Sequence, residues 1–142
     1  MNGPGRARSP LLRVMGWVIL AHWLVVVAIK CTQGRGVEVF WLSHLALALT
    51  GLSFVIGSAS LARGVLIAVA VPHLVWLIDA LGLLVWGRSP MLITSYLSAA
   101  SAWDWIATVH HFYLLPVLCW ALRHAGPWDR RDAVRAWLLL AV

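Results

Sequence analysis

Long apolar blocks alternate with short polar segments along the whole chain. Four of these blocks carry few or no charges: 14–30, 39–58, 65–86 and 103–122. A helix needs about 20 apolar residues to cross the hydrocarbon core of a bilayer, so each block is long enough for about one crossing. The pattern predicts an all-α membrane protein in which residues 1–142 form one domain, a four-transmembrane-helix bundle.

The connecting segments refine this topology. Residues 33–36 form a predicted tight turn, and the short, small and polar segment 57–64 predicts an antiparallel hairpin of the second and third spans. Segment 89–101 is less apolar and predicts an interfacial half-helix or an ordered loop. Residues 134–142 are apolar but too few to cross a bilayer. They predict either a helix on the membrane surface or a truncated fifth helix of a longer chain.

The amino-terminal region has two interpretations. A basic segment followed by an apolar block is the pattern of a secretory signal peptide. No A-x-A cleavage site follows the block, however, and Lys30 directly before Cys31 makes a poor lipoprotein box. We therefore expect the first apolar block to remain as an uncleaved span.

Composition and charge agree with a membrane protein. Apolar residues make up 62% of the chain and charged residues 11%, against about a quarter charged in soluble domains. The net charge of +6 lies between apolar blocks and not on a basic patch interleaved with aromatic residues, so no nucleic-acid partner is expected. Cys31 and Cys119 form no metal-binding pattern. They should lie at opposite membrane faces and stay unpaired.

The distribution of basic residues predicts the orientation. Cytoplasmic loops of membrane proteins are enriched in Lys and Arg. With the amino terminus and the carboxy-terminal tail in the cytoplasm, eight basic residues lie inside and three outside. The inner set is Arg6, Arg8, Arg13, Arg63, Arg123, Arg130, Arg131 and Arg135, and the outer set is Lys30, Arg35 and Arg88.

Ionisable residues inside the predicted spans are the candidates for chemistry, because they are costly in a bilayer. A rise of about 1.5 Å per residue places most of them in one shallow layer of the outer half, with His73 deeper. The candidate cofactor ligands are His22, His44, His73, His110 and His111, and the candidate metal ligands are His44, Asp79 and His111.

Three interpretations of this layer stay open. Imidazole with carboxylate suits zinc, copper or iron, and paired histidines also suit haem or a pigment. The same groups could carry protons in a transporter-like protein. The third interpretation is that each histidine only hydrogen-bonds to a neighbouring helix, as polar residues in bundles do.

Spacings within the last predicted span bear on which of its residues could share one site. Asp104 and His111 are seven residues apart and so share a helix face. Asp104 could hold the imidazole in one tautomer, or this could equally be a wet face of the helix. His110 should point about 100° away from His111, so we do not expect both to serve one centre. No phosphate loop, nucleophile elbow or catalytic triad is present, and no catalytic residue is predicted.

A low-specificity resemblance covers residues 65–135. It rests on the run from Pro72-His73 to Asp79, on Tyr96-Leu97, on the run from His111 to Trp120, and on Asp129-Arg130-Arg131. In these features the chain resembles a group of uncharacterised bacterial multi-spanning inner-membrane proteins, whose members look longer. The resemblance implies a bacterial cytoplasmic (inner) membrane location and no particular activity or site.

Taken together, the sequence predicts a small polytopic protein of the lipid bilayer without enzymatic activity of its own. Its small residues and short loops favour packing, so it should serve as a helical-bundle subunit beside other membrane subunits or as a homo-oligomer. A haem-, pigment- or metal-binding membrane protein and a proton-coupled transporter-like protein are the alternatives.

Overall fold

The structure is a computed structural model, and it describes residues 10–123 together with residues 130, 132, 134 and 138. These residues are helical throughout, apart from turns and short extended links, which confirms the predicted all-helical class. Short 3-10 helices cover Gly36–Phe40 and Ser95–Ala99. The α-helices are α1 (Pro10–Thr32), α2 (Leu42–Ile56), α3 (Ala59–Trp86), α4 (Ala102–Thr108) and α5 (His110–Leu122).

Within the described residues, three helices are long and apolar enough to cross a membrane. They are α1, α3 and the nearly continuous helix formed by α4 and α5, Ala102–Leu122. The 15 residues of α2 extend only about 22 Å, less than the roughly 30 Å of a hydrocarbon core. The helix at the predicted second span is thus shorter than predicted, because residues 39–41 belong to a 3-10 helix and an extended link.

The predicted hairpin between α2 and α3 is confirmed. Gly57 ends α2 in the left-handed conformation, with φ of +68°, which glycine adopts without a steric penalty. Ser58 then caps α3, since its side-chain oxygen accepts a hydrogen bond from the amide of Leu61 at 3.2 Å. This cap starts α3 at Ala59, six residues before the predicted start of the third span.

Helices α1 and α2 approach each other very closely. A Cβ atom added to Gly16 would lie 2.8 Å from the carbonyl oxygen of Gly51 and 2.9 Å from the backbone of Val55. Because the start of α1 meets the end of α2, the two helices run in opposite directions. At the other end of α1, Arg35 reaches Asp104 of α4, so the start of α4 lies beside the end of α1.

The outer surface of this fold is strongly apolar. Val71 of α3 is 69% exposed and Val85 is 68% exposed, and Trp17 of α1 is 61% exposed. Soluble proteins rarely expose apolar surface on this scale. Together with the three long apolar helices, this indicates an integral membrane protein.

Two further predictions can be compared with the structure. Cys31 and Cys119 are both exposed and unpaired, as predicted. Segment 89–101 is an ordered loop that contains the Ser95–Ala99 helix and buries Leu97. The predicted apolar segment 134–142 lies outside the described residues except for Val134 and Leu138.

Candidate functional site: a buried histidine cluster

All five histidines predicted from the sequence converge at one place between the helices. The ring centroids of His110 and His111 are 4.1 Å apart, and those of His73 and His111 are 4.9 Å apart. His44 of α2 lies 5.4 Å from His110, and His22 of α1 lies 6.1 Å from it. The chain has six histidines, so this one cluster contains nearly all of them.

The two adjacent histidines of α5 point to the same place, so the prediction that they diverge is wrong. The helix is interrupted at Val109, between Thr108 and His110, where Phe112 makes a 3-10 bond to the Val109 carbonyl at 3.1 Å. Helical side chains also lean back toward the amino terminus. Both rings follow that direction, which brings them into contact.

The hydrogen bonds of the rings determine which nitrogen carries the proton. Nδ1 of His110 lies 2.9 Å from the carbonyl oxygen of Ala107, and Nδ1 of His111 lies 3.0 Å from that of Thr108. The carbonyl of Val69 faces the ring of His73, and because Nε2 of this ring has no hydrogen bond, Nδ1 is the nitrogen that is turned toward it. A carbonyl only accepts, so each of these Nδ1 atoms donates its hydrogen. In the neutral rings, Nε2 then carries a free lone pair.

Two of these lone pairs have no partner. Nε2 of His73 and Nε2 of His110 are buried without a hydrogen bond, and the two residues are 2% and 0% exposed. A buried polar atom without a partner costs about 1–3 kcal/mol. Such atoms are uncommon and call for an explanation.

The spacing of three rings suits a metal ion. A ring nitrogen from each of His73, His110 and His111 lies within 4.8 Å of those of the other two. Three nitrogens bound at about 2.0–2.1 Å to a tetrahedral ion lie about 3.4 Å apart, so the rings would have to close by about 1.4 Å or less. Since the Nδ1 atoms face backbone carbonyls, the Nε2 atoms are the ones left to coordinate.

His22 and His44 surround this group of three but are bonded differently. Both nitrogens of His22 are used, because Nδ1 lies 2.5 Å from the Tyr113 hydroxyl and Nε2 lies 2.9 Å from the Ile106 carbonyl. His44 donates from Nδ1 to the Glu38 carbonyl at 2.6 Å. We therefore place His22 in a supporting position, and His44 at the edge with Nε2 still available.

Asp79, predicted as a metal ligand, is directed toward a loop and not toward the histidines. Its carboxylate accepts hydrogen bonds from the Ser89 hydroxyl at 2.5 Å, the Met91 amide at 2.5 Å, and the amide and hydroxyl of Thr94 at 2.7 and 2.9 Å. Depth counted from Trp86 placed Asp79 level with the histidines and His73 below them. The hydrogen bonds of Asp79 all come from the loop at 89–94, so an equal depth along α3 did not bring it to the histidines.

Asp104 does not hold His111, which was one of the two interpretations of their shared helix face. Its carboxylate accepts from the amide and hydroxyl of Ser101 at 3.0 and 2.6 Å, while its own amide donates to the Ser101 hydroxyl at 3.3 Å. This is a capping box at the start of α4. The S-x-x-D spacing was a signal for it in the sequence. The group that orients His111 is the Thr108 carbonyl.

A pocket of about 570 Å³ leads to the histidines. His44, His73 and His111 form part of its wall, together with aromatic and aliphatic side chains that include Trp41 and Trp76. His110 is not part of this wall and lies fully buried behind it. This pocket therefore reaches the cluster through His44, His73 and His111.

Charged side chains at the pocket form a connected network that the sequence did not reveal. Glu38 binds Lys30 at 2.8 Å and Arg35 at 2.5 Å, and Arg35 also reaches Asp104 at 3.5 Å. Burial would raise the pKa of Glu38, but hydrogen bonds from Arg35 and Lys30 outweigh it and lower the pKa below its ordinary value. The same bond raises the pKa of Arg35. The network joins α1, the Gly36–Phe40 helix and α4.

Neither a protein-family model, nor a curated protein, nor a solved structure matches the chain. The resemblance of residues 65–135 to bacterial inner-membrane proteins therefore stays a prediction. What the cluster binds has to be inferred from its own geometry and chemistry.

Proposed function

We propose that this protein is a four-span membrane protein that binds one divalent transition-metal ion through His73, His110 and His111. The observation that carries the proposal is the pair of buried, unpartnered Nε2 atoms on His73 and His110. A metal ion would satisfy both lone pairs at once. Nothing else in the described part of the chain reaches them.

The orientation of the rings supports a metal ion specifically. Histidines that bind metals almost always donate their other ring hydrogen to a carboxylate, a backbone carbonyl or water, which fixes the tautomer. All three rings donate to a backbone carbonyl in this way. Three imidazoles suit zinc, copper or iron. In zinc proteins, three protein ligands with a fourth open position are the pattern of catalytic sites.

Haem bound between two of these histidines fits the cluster less well. A haem with two axial histidines needs the flat macrocycle to lie between the rings. The centroids of His110 and His111 are 4.1 Å apart, and those of His73 and His111 are 4.9 Å apart. Rings in such close contact leave room for a single ion but not for a macrocycle.

Metal binding can be tested with Co²⁺, which has visible absorption bands in a four-coordinate site. Protein purified without a polyhistidine tag and stripped by a chelator should bind one equivalent. His73→Ala, His110→Ala and His111→Ala should each weaken binding more than about 100-fold, since even outer-shell partners contribute about 10- to 100-fold. His22→Gln is the matched control, because both nitrogens of His22 are used within the protein. Failure of the wild-type protein to bind Co²⁺ saturably would refute the proposal.

The topology is part of the same proposal. We infer four crossings, with α2 as a short one between α1 and α3, the amino terminus and carboxy-terminal tail in the cytoplasm, and a bacterial inner-membrane location. The eight-to-three bias of basic residues supports this orientation. In a variant without Cys31 and Cys119, cysteines introduced at Gly34 and Gly126 should be labelled from opposite sides. Labelling of both from one side would contradict the topology.

A further inference from the structure

We propose that the metal ion has an open coordination position facing the pocket, and that this position takes the carboxylate of an amphiphile whose apolar chain lies in the pocket. The inference rests on the proposed metal site. It adds the chemical class of the ligand, which is a medium-chain carboxylic acid.

Access comes from the way the three ligands are placed. His73 and His111 lie on the wall of the pocket while His110 lies behind it, so an ion held by all three is exposed on the pocket side. Three ligands leave a tetrahedral ion with one free position. The volume of about 570 Å³ lies within the range of about 300–1,000 Å³ typical of small-molecule sites.

Charge favours an anionic ligand at that position. Three neutral imidazoles leave the two positive charges of the ion uncompensated, and charge is costly where water is excluded. Asp79, the one carboxylate of α3, is directed to the loop at 89–94. At the pocket mouth, Lys30 and Arg35 are balanced by Glu38 and Asp104. The ion is therefore the charge that a ligand would neutralise.

The rest of the pocket favours an apolar chain on that ligand. Its wall includes Leu42, Val75, Trp76 and Ile93, none of which offers a charged group. Each methylene group that such a wall buries strengthens binding about fourfold. A carboxylate with a short alkyl chain should thus bind more tightly than acetate.

The test uses the Co²⁺-loaded protein in lipid nanodiscs, titrated with acetate, hexanoate and 1-hexanol. Acetate and hexanoate should both shift the visible bands. Hexanoate should do so at a concentration at least about tenfold lower, because it has four additional methylenes and each one that the pocket buries strengthens binding about fourfold. Hexanol has the chain without the carboxylate and should leave the bands unchanged.

Two pocket variants check where the chain lies. Val75→Phe fills the pocket from α3, and Ile93→Phe narrows it from the loop; either should bring the hexanoate affinity close to that of acetate without changing Co²⁺ stoichiometry. Val85→Phe on the exposed face of the same helix is the control and should change neither. Two pocket variants are used so that the test can still be made if one of them fails to fold.

The outcomes separate this inference from the proposed function. If one Co²⁺ binds but neither carboxylate shifts its bands, the coordination sphere is closed and the inference is wrong, while the metal site stands. Equal affinities for acetate and hexanoate would also overturn it. If no Co²⁺ binds, the proposed function itself fails.

Discussion

Two buried polar residues of α3, Asp79 and His73, lie six positions apart, and their hydrogen bonding differs completely. Asp79 accepts four hydrogen bonds from the loop at 89–94. His73, about 9 Å away along the helix, leaves Nε2 without a partner, as His110 does. Both residues are nearly completely buried, since Asp79 is 0% and His73 is 2% exposed.

This difference separates a structural role from a binding role. A buried polar group whose partners all come from the chain needs nothing more, and it ties the chain together. A buried polar group without a partner is costly unless something from outside the chain binds it. The sequence made both Asp79 and His73 candidate ligands, and only their hydrogen bonds distinguish the two.

The largest effect is expected at Asp79. Asp79→Ala would leave the donors of Ser89, Met91 and Thr94 unsatisfied, and we expect a loss of about 3 kcal/mol or more in the free energy of unfolding. Co²⁺ stoichiometry of the folded protein should stay at one. Denaturation without Co²⁺ measures the first quantity, and titration of the folded protein with Co²⁺ measures the second.

Two variants sharpen the result at Asp79. Asp79→Asn keeps the shape and one acceptor oxygen, so its loss should be smaller. Ser98→Ala removes a hydroxyl that bonds only the nearby Ser95 carbonyl and should change stability by less than about 0.5 kcal/mol. If Asp79→Asn loses the metal without losing stability, Asp79 is a metal ligand and not only a structural residue.

The next effect is the stabilisation by the metal itself. A ligand that binds only the folded state adds about 2.7 kcal/mol at a concentration 100 times its Kd. The wild-type protein should gain this amount with Co²⁺. His110→Leu should gain nothing, while its metal-free stability should stay within about 1 kcal/mol of wild type, because the substitution removes an unsatisfied nitrogen along with one hydrogen bond. An equal gain in both proteins would place the metal elsewhere.

A smaller effect is expected for Glu38, whose contribution to the free energy of unfolding should depend on pH. Its pKa is lowered in the folded protein from an ordinary value near 4.5. A lowered carboxyl pKa contributes stability that is fully present above the ordinary pKa and is lost as pH falls through the lower, folded value. The difference in stability between wild type and Glu38→Gln, measured without metal, should therefore be largest above about pH 5 and shrink in more acidic solution. A difference that grows toward low pH would contradict the ion-pair assignment.

The smallest effect is expected at Tyr113. Tyr113→Phe removes the hydroxyl that binds Nδ1 of His22 at 2.5 Å, and we expect a loss of about 1 kcal/mol. Because His22 supports the cluster without facing the proposed ion, Co²⁺ affinity should change by less than about threefold. A loss comparable to that of His110→Ala would make His22 a ligand.

The positions of the helices followed from the sequence to within a few residues. Apolar runs predicted spans at 14–30, 65–86 and 103–122, close to the observed Pro10–Thr32, Ala59–Trp86 and Ala102–Leu122. The hairpin at Gly57 also followed from local chemistry. Helix rise further predicted one layer of ionisable side chains containing His22, His44, Asp79, His110 and His111, with His73 deeper. The structure confirms that the histidines of this layer converge, but it adds His73 to them and directs Asp79 to the loop at 89–94.

What the sequence did not determine depends on contacts between distant segments. The carboxylate of Asp79 is held by residues 10 to 15 positions later, and the rings of His110 and His111 meet because the helix is interrupted at Val109. Hydropathy and helix rise are one-dimensional quantities that give depth, whereas side-chain direction and hydrogen-bond partners depend on how the helices pack. The sequence alone therefore determined a set of buried polar residues. Only the tertiary structure decided which of them have partners and which are left to bind a ligand, because partners are supplied by other segments of the chain.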